Sequence, residues 1–328
     1  MRRSSPGGRA PRWRRAALLV ALLLLAAACG GATNNGGQPE ITASPRSGFD
    51  LLAVTSDLAV GPSRFIVELV DPGGSEVTGA RLHLRFFFID PVRQNRKTYK
   101  NETDTVPIKV STPYTHTHLD GALVRHEAGE TGIHAADVAF DQAGDWVVEV
   151  TGDVAGKSLP LLERAFQVRL NSLSPTLGTP APASVQPILS DVKDITEIDS
   201  SSPPNPEMHD MTIAAAVSSG RPSVIAFASA GVCASPICGP AKETVDELWQ
   251  KYKGQANFIH VEPYDLKALG DGAQPQPLAW VTAEWGVQSE PWIFLVDSQG
   301  FIADKFQALA GYDELDAAIA RLLSSRPP

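Results

Sequence analysis

The sequence is poor in cysteine and has no apolar run of the length that a membrane span requires. Cysteine occurs at positions 29, 233 and 238 of the 328 residues. If Cys29 has a separate role, one disulfide pair remains, which excludes a fold held together by many disulfides. The apolar run Ala16–Ala28 has 13 residues, whereas a transmembrane helix needs roughly 20. We therefore expect this run to be the core of an export signal rather than a permanent membrane span.

Basic residues are scarce after the first 15 positions. Six of the 28 basic residues precede Ala16, and no acidic residue accompanies them. The other 22 basic residues face 37 acidic ones, which gives residues 29–328 a formal charge of −15. Such an acidic chain is not expected to bind nucleic acid.

The end of the apolar run predicts a lipid anchor. Ala26-Ala27-Ala28-Cys29 resembles the lipobox of bacterial lipoproteins, in which cleavage leaves a cysteine that carries lipid. The resemblance implies that residues 1–28 are a signal peptide, that Cys29 is the lipid attachment site, and that the protein lies at the cell membrane on its extracytoplasmic face. The alternative is a secreted chain that is cleaved nearby and leaves Cys29 unused. Residues 29–47, rich in Gly, Asn and Pro, are typical of a tether.

Residues 48–170 carry the pattern of a β-sandwich. Seven segments alternate apolar and polar residues or stay apolar over strand lengths: FDLLAVT, RFIVELV, ARLHLRFFFI, VPIKVST, IHAADVAF, DWVVEV and RAFQVRL. The phrase DQAGDWVVEV resembles a strand signature of immunoglobulin-like sandwiches in exported bacterial proteins. We therefore expect an all-β immunoglobulin-like sandwich here, a fold that does not by itself define a function. Residues 171–186, rich in Pro and Ser, are predicted to link it to a second domain at residues 187–328.

Two cysteines lie between a predicted strand and a predicted helix. The apolar run Val224–Ala230 predicts a buried strand that stops at Gly231. After Pro240, apolar residues recur at helical spacing: Ala241, Thr244, Val245, Leu248, Trp249 and Tyr252. Cys233 and Cys238 therefore precede the amino end of a helix. Unpaired N–H groups at such an end favour a thiolate, which is the form that attacks disulfides.

The cysteine segment is similar to the thioredoxin superfamily. CGPAK at residues 238–242 is close to that family's WCGPCK, although Ala241 replaces the second cysteine and no tryptophan precedes the motif. Further on, Glu290-Pro291 opens an apolar strand and resembles the cis-proline position of the same family. The resemblance implies a multidomain chain in which an all-β immunoglobulin-like sandwich is followed by an α/β thioredoxin-like fold. It also implies a catalytic role for Cys233, Cys238, Pro291 and Glu290.

Two other families with related cysteine arrangements fit the residues less well. Copper-delivering proteins of the Sco type have a histidine just before the late strand, where this chain has Ser289 or Glu290. Peroxiredoxins need a threonine three residues before the attacking cysteine, where this chain has Ala230 or Ser235. The residues favour a plain disulfide oxidoreductase over a copper-handling protein.

A group of histidines in the predicted sandwich is a second candidate site. His116, His118, His126 and His134 fall within twenty residues, and imidazole is a good ligand for zinc and copper. Their surroundings are polar and loop-like, with no cysteine or methionine among them, so these histidines are the weaker candidates. Solvent-facing side chains without a ligand are the alternative.

The expected activity is thiol–disulfide exchange by a Cys-x4-Cys pair. In this hypothesis Cys233 and Cys238 exchange electrons with thiols or disulfides of client proteins, the membrane is contacted through the lipid, and no cofactor is needed. The alternative is a redox-inactive binding or scaffold protein in which the same two cysteines form a structural disulfide. The reduction potential of the pair separates the two hypotheses, because structural disulfides lie below about −300 mV.

Overall fold

The computed structural model describes residues 48–93, 96–111, 113–117, 123–232 and 237–324. The predicted signal peptide, the predicted tether and Cys29 lie outside these ranges. None of the helices that the structure describes is both long and apolar enough to cross a membrane.

Alternating apolar and polar residues place one face of each early strand in a core. In β3 (Ala80–Ile89), Leu82, Leu84 and Phe86 are buried, whereas Arg81 and Arg85, on the opposite face, are exposed. The described residues before position 170 also form β1 (Asp50–Ala53), β2 (Gly61–Val70), β4 (Lys97–Asp104), β5 (Val106–Val110), β6 (Tyr114–Thr117), β7 (Leu123–His126), β8 (Gly129–Phe140), β9 (Gly144–Val154), β10 (Lys157–Ser158) and β11 (Leu162–Val168). Each of the seven segments predicted as strands overlaps one of these, so those predictions are confirmed.

Two antiparallel sheets enclose the first core. Their strand orders are β1-β2-β8-β5 and β10-β9-β3-β4, with β11 also paired to β9. Phe65 from the first sheet meets Phe86 from the second with ring centroids 5.1 Å apart, and Phe140 meets Trp146 at 5.0 Å. Strands β6 and β7 form a separate two-stranded sheet.

A third extended sheet is covered by helices on both faces. Its strands are β12 (Ser223–Phe227), β13 (Asn257–Val261), β14 (Trp292–Val296) and β15 (Ile302–Gln307), in the order β13-β12-β14-β15 with β12 and β13 parallel. The helices are α1 (Ile213–Val217), α2 (Cys238–Tyr252), α3 (Leu266–Gly270), α4 (Ala279–Trp285) and α5 (Tyr312–Ser324). Every residue of β12, β13 and β14 is buried, because α2 and α5 pack on one face and α1 and α4 on the other.

The fold class predicted from the sequence is wrong. Strands account for 38% of the described residues and form four sheets there, against five helices. Helices α1, α3 and α4 have 5, 5 and 7 residues, so they span one or two turns each. Helix α4 ends where Gly286 turns into the left-handed region at a φ of 65°. The molecule is mainly β and does not match an immunoglobulin-like sandwich followed by an α/β thioredoxin-like fold.

The segment predicted as a linker, residues 171–186, forms hydrogen bonds with other parts of the protein. Asp57 accepts hydrogen bonds from the amides of Leu173 and Ser174 at 2.8 and 3.0 Å and from both neighbouring serine hydroxyls. Ala181 is buried, and its amide donates to the carbonyl of Gly300 at 2.8 Å. The predicted domain boundaries stay a prediction, but this segment is hydrogen-bonded to residues that lie before it and after it in the sequence.

One apolar cluster joins the first half of the chain to the second. It contains Ile66, Ile108, Val110, Ile133, Ile237, Cys238, Ala241, Ala308 and Leu309. The described residues all belong to one compact unit. The amino end of α2 is therefore buried against strands β2, β5 and β8.

Candidate active site

Polar residues collect where the parallel strands β12 and β13 end. Ser229 follows β12 by two residues, and Glu262 follows β13 directly. The carboxyl ends of parallel neighbours share one edge of a sheet, which is where α/β sheets commonly bind ligands. Ser200 lies across this edge: its hydroxyl donates to Glu262 Oε2 at 2.6 Å and lies 3.1 Å from the hydroxyl of Ser229. Gly231 approaches so closely that an added Cβ would lie 2.7 Å from the Ser200 carbonyl oxygen.

Cys238 is the first residue of α2 and has no exposed surface. The sequence places Pro240 at the first helical position, but the helix begins two residues earlier. The Cys238 sulfur is disulfide-bonded and lies 3.9 Å from the carbonyl oxygen of Glu290. Its predicted partner, Cys233, lies outside the described residues, so the pairing stays a proposal.

Glu290 and Pro291 pack against the cysteine helix from the start of β14. The peptide bond between them is cis. The amide of Ser229 donates to Glu290 Oε2. Burial, together with the charge of Glu262, raises the pKa of Glu290 to about 9. Glu290 is therefore protonated at neutral pH and adds no negative charge next to the sulfur.

Burial also shifts the pKa values of two further groups near Glu290. Burial raises the pKa of Glu262 to about 7, against the hydrogen bonds from Ser200 and Ser229, which lower it. Burial also raises the pKa of Tyr264, and the charge of Glu290 acts in the same direction. Several titratable groups with shifted pKa values in one place are typical of functional sites. Within the described part of the chain, Glu262 Oε1 and Glu290 Oε1 are buried without a hydrogen-bond partner.

Asp199, His209 and His260 form a buried group beside these carboxyls. Asp199 Oδ2 lies 3.0 Å from His209 Nε2 and 3.3 Å from His260 Nδ1, and the two imidazole nitrogens are 3.2 Å apart. Burial alone would raise the pKa of Asp199, but its contacts with His209, His260 and Ser201 outweigh burial, so the pKa lies well below the usual value. Burial lowers the pKa of His260, whereas the contact with Asp199 acts in the opposite direction.

A cavity of about 260 Å³ opens beside this group. His209, His260, Glu262 and Tyr264 contribute to its wall, together with the aromatic side chain of Trp280. The cavity has the size of a small-ligand site rather than of a macromolecular groove. The site thus combines a buried sulfur, two carboxyls with raised pKa values and a histidine pair at one edge of the sheet.

The histidines predicted as weak metal ligands do not form a described site. His134 lies on β8, fully buried, and its Nδ1 is 2.9 Å from the Thr105 hydroxyl. Burial lowers the pKa of His134 to about 4. His116 and His126 lie on β6 and β7, whereas His118 lies outside the described residues. Among the described residues, the group of metal-ligating side chains that comes together is Asp199, His209 and His260 instead.

The sequence interpretation missed most of this group. Asp199 and His209 belong to a Pro- and Ser-rich stretch without apolar periodicity, so no local pattern marks them. The structure gives this stretch three 3₁₀ turns: Leu189–Asp191, Ile195–Glu197 and Pro206–His209. His260 lies within the buried strand β13, where its position gives no sign of the two distant partners.

Comparisons with known proteins identify no family. No family model matches the chain, and no curated protein matches it. Among solved structures, a β-glucosidase from Kluyveromyces marxianus is similar over 37% of this chain, with 15% identity and a TM-score of 0.19. The similarity covers 14% of the length of that β-glucosidase chain. A similarity of this size supports no argument about fold or function.

Proposed function

We propose that the protein catalyses thiol–disulfide exchange through Cys233 and Cys238. The supporting observation is the position of Cys238. It is the first residue of helix α2, and its sulfur lies next to the carbonyl oxygen of Glu290. Free N–H groups at a helix amino end stabilise a thiolate. Because Glu290 is protonated at neutral pH, it does not oppose that negative charge.

The burial of Cys238 decides which thiol attacks in this mechanism. A sulfur without exposed surface cannot meet a protein disulfide directly, so Cys233 is the attacking residue. Its thiolate forms a bond to one client sulfur and expels the other as a thiolate. Cys238 then attacks the Cys233 sulfur and releases the second client thiolate. The client disulfide is reduced by two electrons, and the Cys233–Cys238 pair is oxidised.

Trapping of the mixed disulfide tests this mechanism. All proteins carry Cys29→Ser, so that no third thiol is present. After reduction, the Cys238→Ser variant should accumulate a mixed disulfide with a small aromatic disulfide, because its attacking thiol has no resolving partner. The Cys233→Ser variant should react at least about tenfold more slowly when folded, because its remaining thiol is buried. Mass spectrometry of the intact protein measures both.

Unfolding in denaturant supplies the control for this experiment. Both variants should then react at similar rates, since burial is removed. If the Cys238→Ser variant forms no mixed disulfide when folded, thiol exchange is excluded. The burial of Cys238 then favours the second candidate function, a redox-inactive binding protein with a structural disulfide. A reduction potential below about −300 mV would support that alternative.

We also propose that the protein is held at the extracytoplasmic face of the cell membrane by lipid on Cys29. The lipobox-like sequence before Cys29 supports this location. The expressed protein should partition into the detergent phase, and Cys29→Ser should move it to the aqueous phase. The matched control is Cys233→Ser, which should leave partitioning unchanged. Recovery of the unsubstituted protein in the aqueous phase, with the residue before Cys29 still attached, would contradict lipid anchoring.

A further inference from the structure

Three potential metal ligands converge at the end of strand β13. The distances between Asp199 Oδ2, His209 Nε2 and His260 Nδ1 are 3.0, 3.2 and 3.3 Å. Zinc binds nitrogen and oxygen ligands at about 2.0–2.1 Å, so adjacent ligands of a tetrahedral zinc site lie roughly 3.3 Å apart. The three atoms thus have the spacing of one face of such a tetrahedron.

The three ligand atoms face one another, so their lone pairs can converge on one ion. His260 Nε2 lies 2.8 Å from the carbonyl oxygen of Ala228, which can only accept, so Nε2 carries a proton and Nδ1 is the nitrogen left to bind an ion. Nδ1 of the same ring is the nitrogen that faces Asp199 Oδ2, at 3.3 Å, and His209 Nε2, at 3.2 Å. A bound cation would satisfy all three atoms at once.

The surroundings orient the ligands as in known metal sites. A metal-ligating histidine usually donates its other N–H to a carbonyl or carboxylate, and the bond from His260 to Ala228 has this form. Asp199 Oδ1 accepts from the amide of Ser201 at 2.8 Å and from its hydroxyl at 2.5 Å, which leaves Oδ2 facing the histidines. The side chains of Asp199 and His260 have no exposed surface and that of His209 has 3%.

We propose that Asp199, His209 and His260 form a binding site for a divalent transition-metal ion. Two imidazoles and one carboxylate, with no sulfur ligand, suit Zn²⁺ and not Cu⁺. His209 and His260 also line the cavity of about 260 Å³, so a fourth ligand can reach the ion from there. Three protein ligands with an accessible fourth position are typical of zinc sites that bind substrate or water. This proposal does not depend on thiol chemistry.

Zinc titration of the purified protein tests the site. Free thiols are alkylated first, so that cysteine cannot bind the metal, and resident metal is removed with a chelator. Calorimetric titration with ZnCl₂ should show one site per chain with micromolar or tighter affinity. Co²⁺ at the same site should give the visible absorption of a four-coordinate ion. Asp199→Asn and His209→Gln should each weaken zinc binding by about 100-fold or more.

A buried histidine outside the group provides the matched control. His134→Gln removes an imidazole that is as buried as His260, and it should leave zinc affinity unchanged. Far-UV circular dichroism verifies that each variant is folded. The variant His116→Gln/His118→Gln/His126→Gln should also bind zinc like the wild type.

Three results would overturn the proposal. The first is a wild-type protein that binds no zinc. The second is zinc binding that survives both Asp199→Asn and His209→Gln. The third is binding that is lost in the triple histidine variant but kept in Asp199→Asn. The first result would identify the group as a hydrogen-bonded structural network, and the others would place the ion elsewhere.

Discussion

Replacing Arg64 with alanine should lower the free energy of unfolding by about 3 kcal/mol. The Arg64 guanidinium forms two hydrogen bonds with the Glu314 carboxylate, at 2.6 and 2.8 Å. It also donates to the carbonyl oxygens of Gln307 and Leu309, at 3.0 and 2.8 Å. Its side chain is 11% exposed, so its removal leaves several hydrogen-bond acceptors unpaired where water has little access. Loss of a paired, poorly solvated charge is far more costly than loss of a surface ion pair.

Urea denaturation followed by tryptophan fluorescence measures this effect. Arg81→Ala is the matched control, because Arg81 also forms a two-point contact with a carboxylate, that of Asp153, but is 81% exposed. The control should leave the denaturation midpoint within experimental error of the wild type. Equal midpoints for Arg64→Ala and Arg81→Ala would show that the contact between β2 and the α5 region contributes little to stability.

Glu290→Gln should remove a large part of the pH dependence of stability between pH 6 and pH 9. The pKa of Glu290 is raised to about 9 in the folded protein, whereas an unfolded glutamate titrates near 4.3. In this window the folded state keeps a proton that the unfolded state has released, so rising pH destabilises the fold. A shift of one unit corresponds to about 1.4 kcal/mol. Since Glu290 is partly exposed, we expect a loss of about 2 kcal/mol from pH 6 to pH 9 in the wild type.

The measurement compares unfolding free energies of wild type and variant at several pH values. Glutamine keeps the size of the side chain and can still accept from the Ser229 amide, but it does not titrate. Glu262 is present in both proteins, so the difference reports the titration of Glu290 together with its coupling to Glu262. Glu102→Gln, on the exposed strand β4, should show the wild-type slope. If Glu290→Gln also shows the wild-type slope, Glu290 is ionised in the folded protein and the proposed neutral surroundings of Cys238 are wrong.

Local patterns predicted the elements better than their arrangement. Strands such as β3 and β8 alternate clearly, and the apolar spacing after Pro240 predicted most of α2. The prediction of the fold class was wrong because the class depends on how many turns each helix has and on what each helix packs against. Helix α1, for example, has 5 residues. Neither helix length nor sheet pairing is encoded in a window of that size.

The candidate site shows the same limit. Cys238 and Glu290 were predicted by resemblance, and the structure places their atoms in contact. Lys242 is a charged residue outside the apolar spacing that predicts α2, yet it is 1% exposed and pairs with Asp246 at 2.7 Å. The group around His260 brings together residues from positions 199, 209 and 260. Contacts between residues so far apart in the chain cannot be recognised from the local sequence.

The apolar cluster that contains Ile133 and Cys238 couples the unfolding of the two halves of the chain. Residues packed in one cluster cannot separate without exposing it to water, so both halves are expected to unfold cooperatively. A ligand that binds the folded state alone stabilises the whole cooperative unit by mass action, wherever it binds. An ion or a client bound at the ends of β12 and β13 should therefore slow amide hydrogen exchange in β2 and β8, although it contacts neither strand.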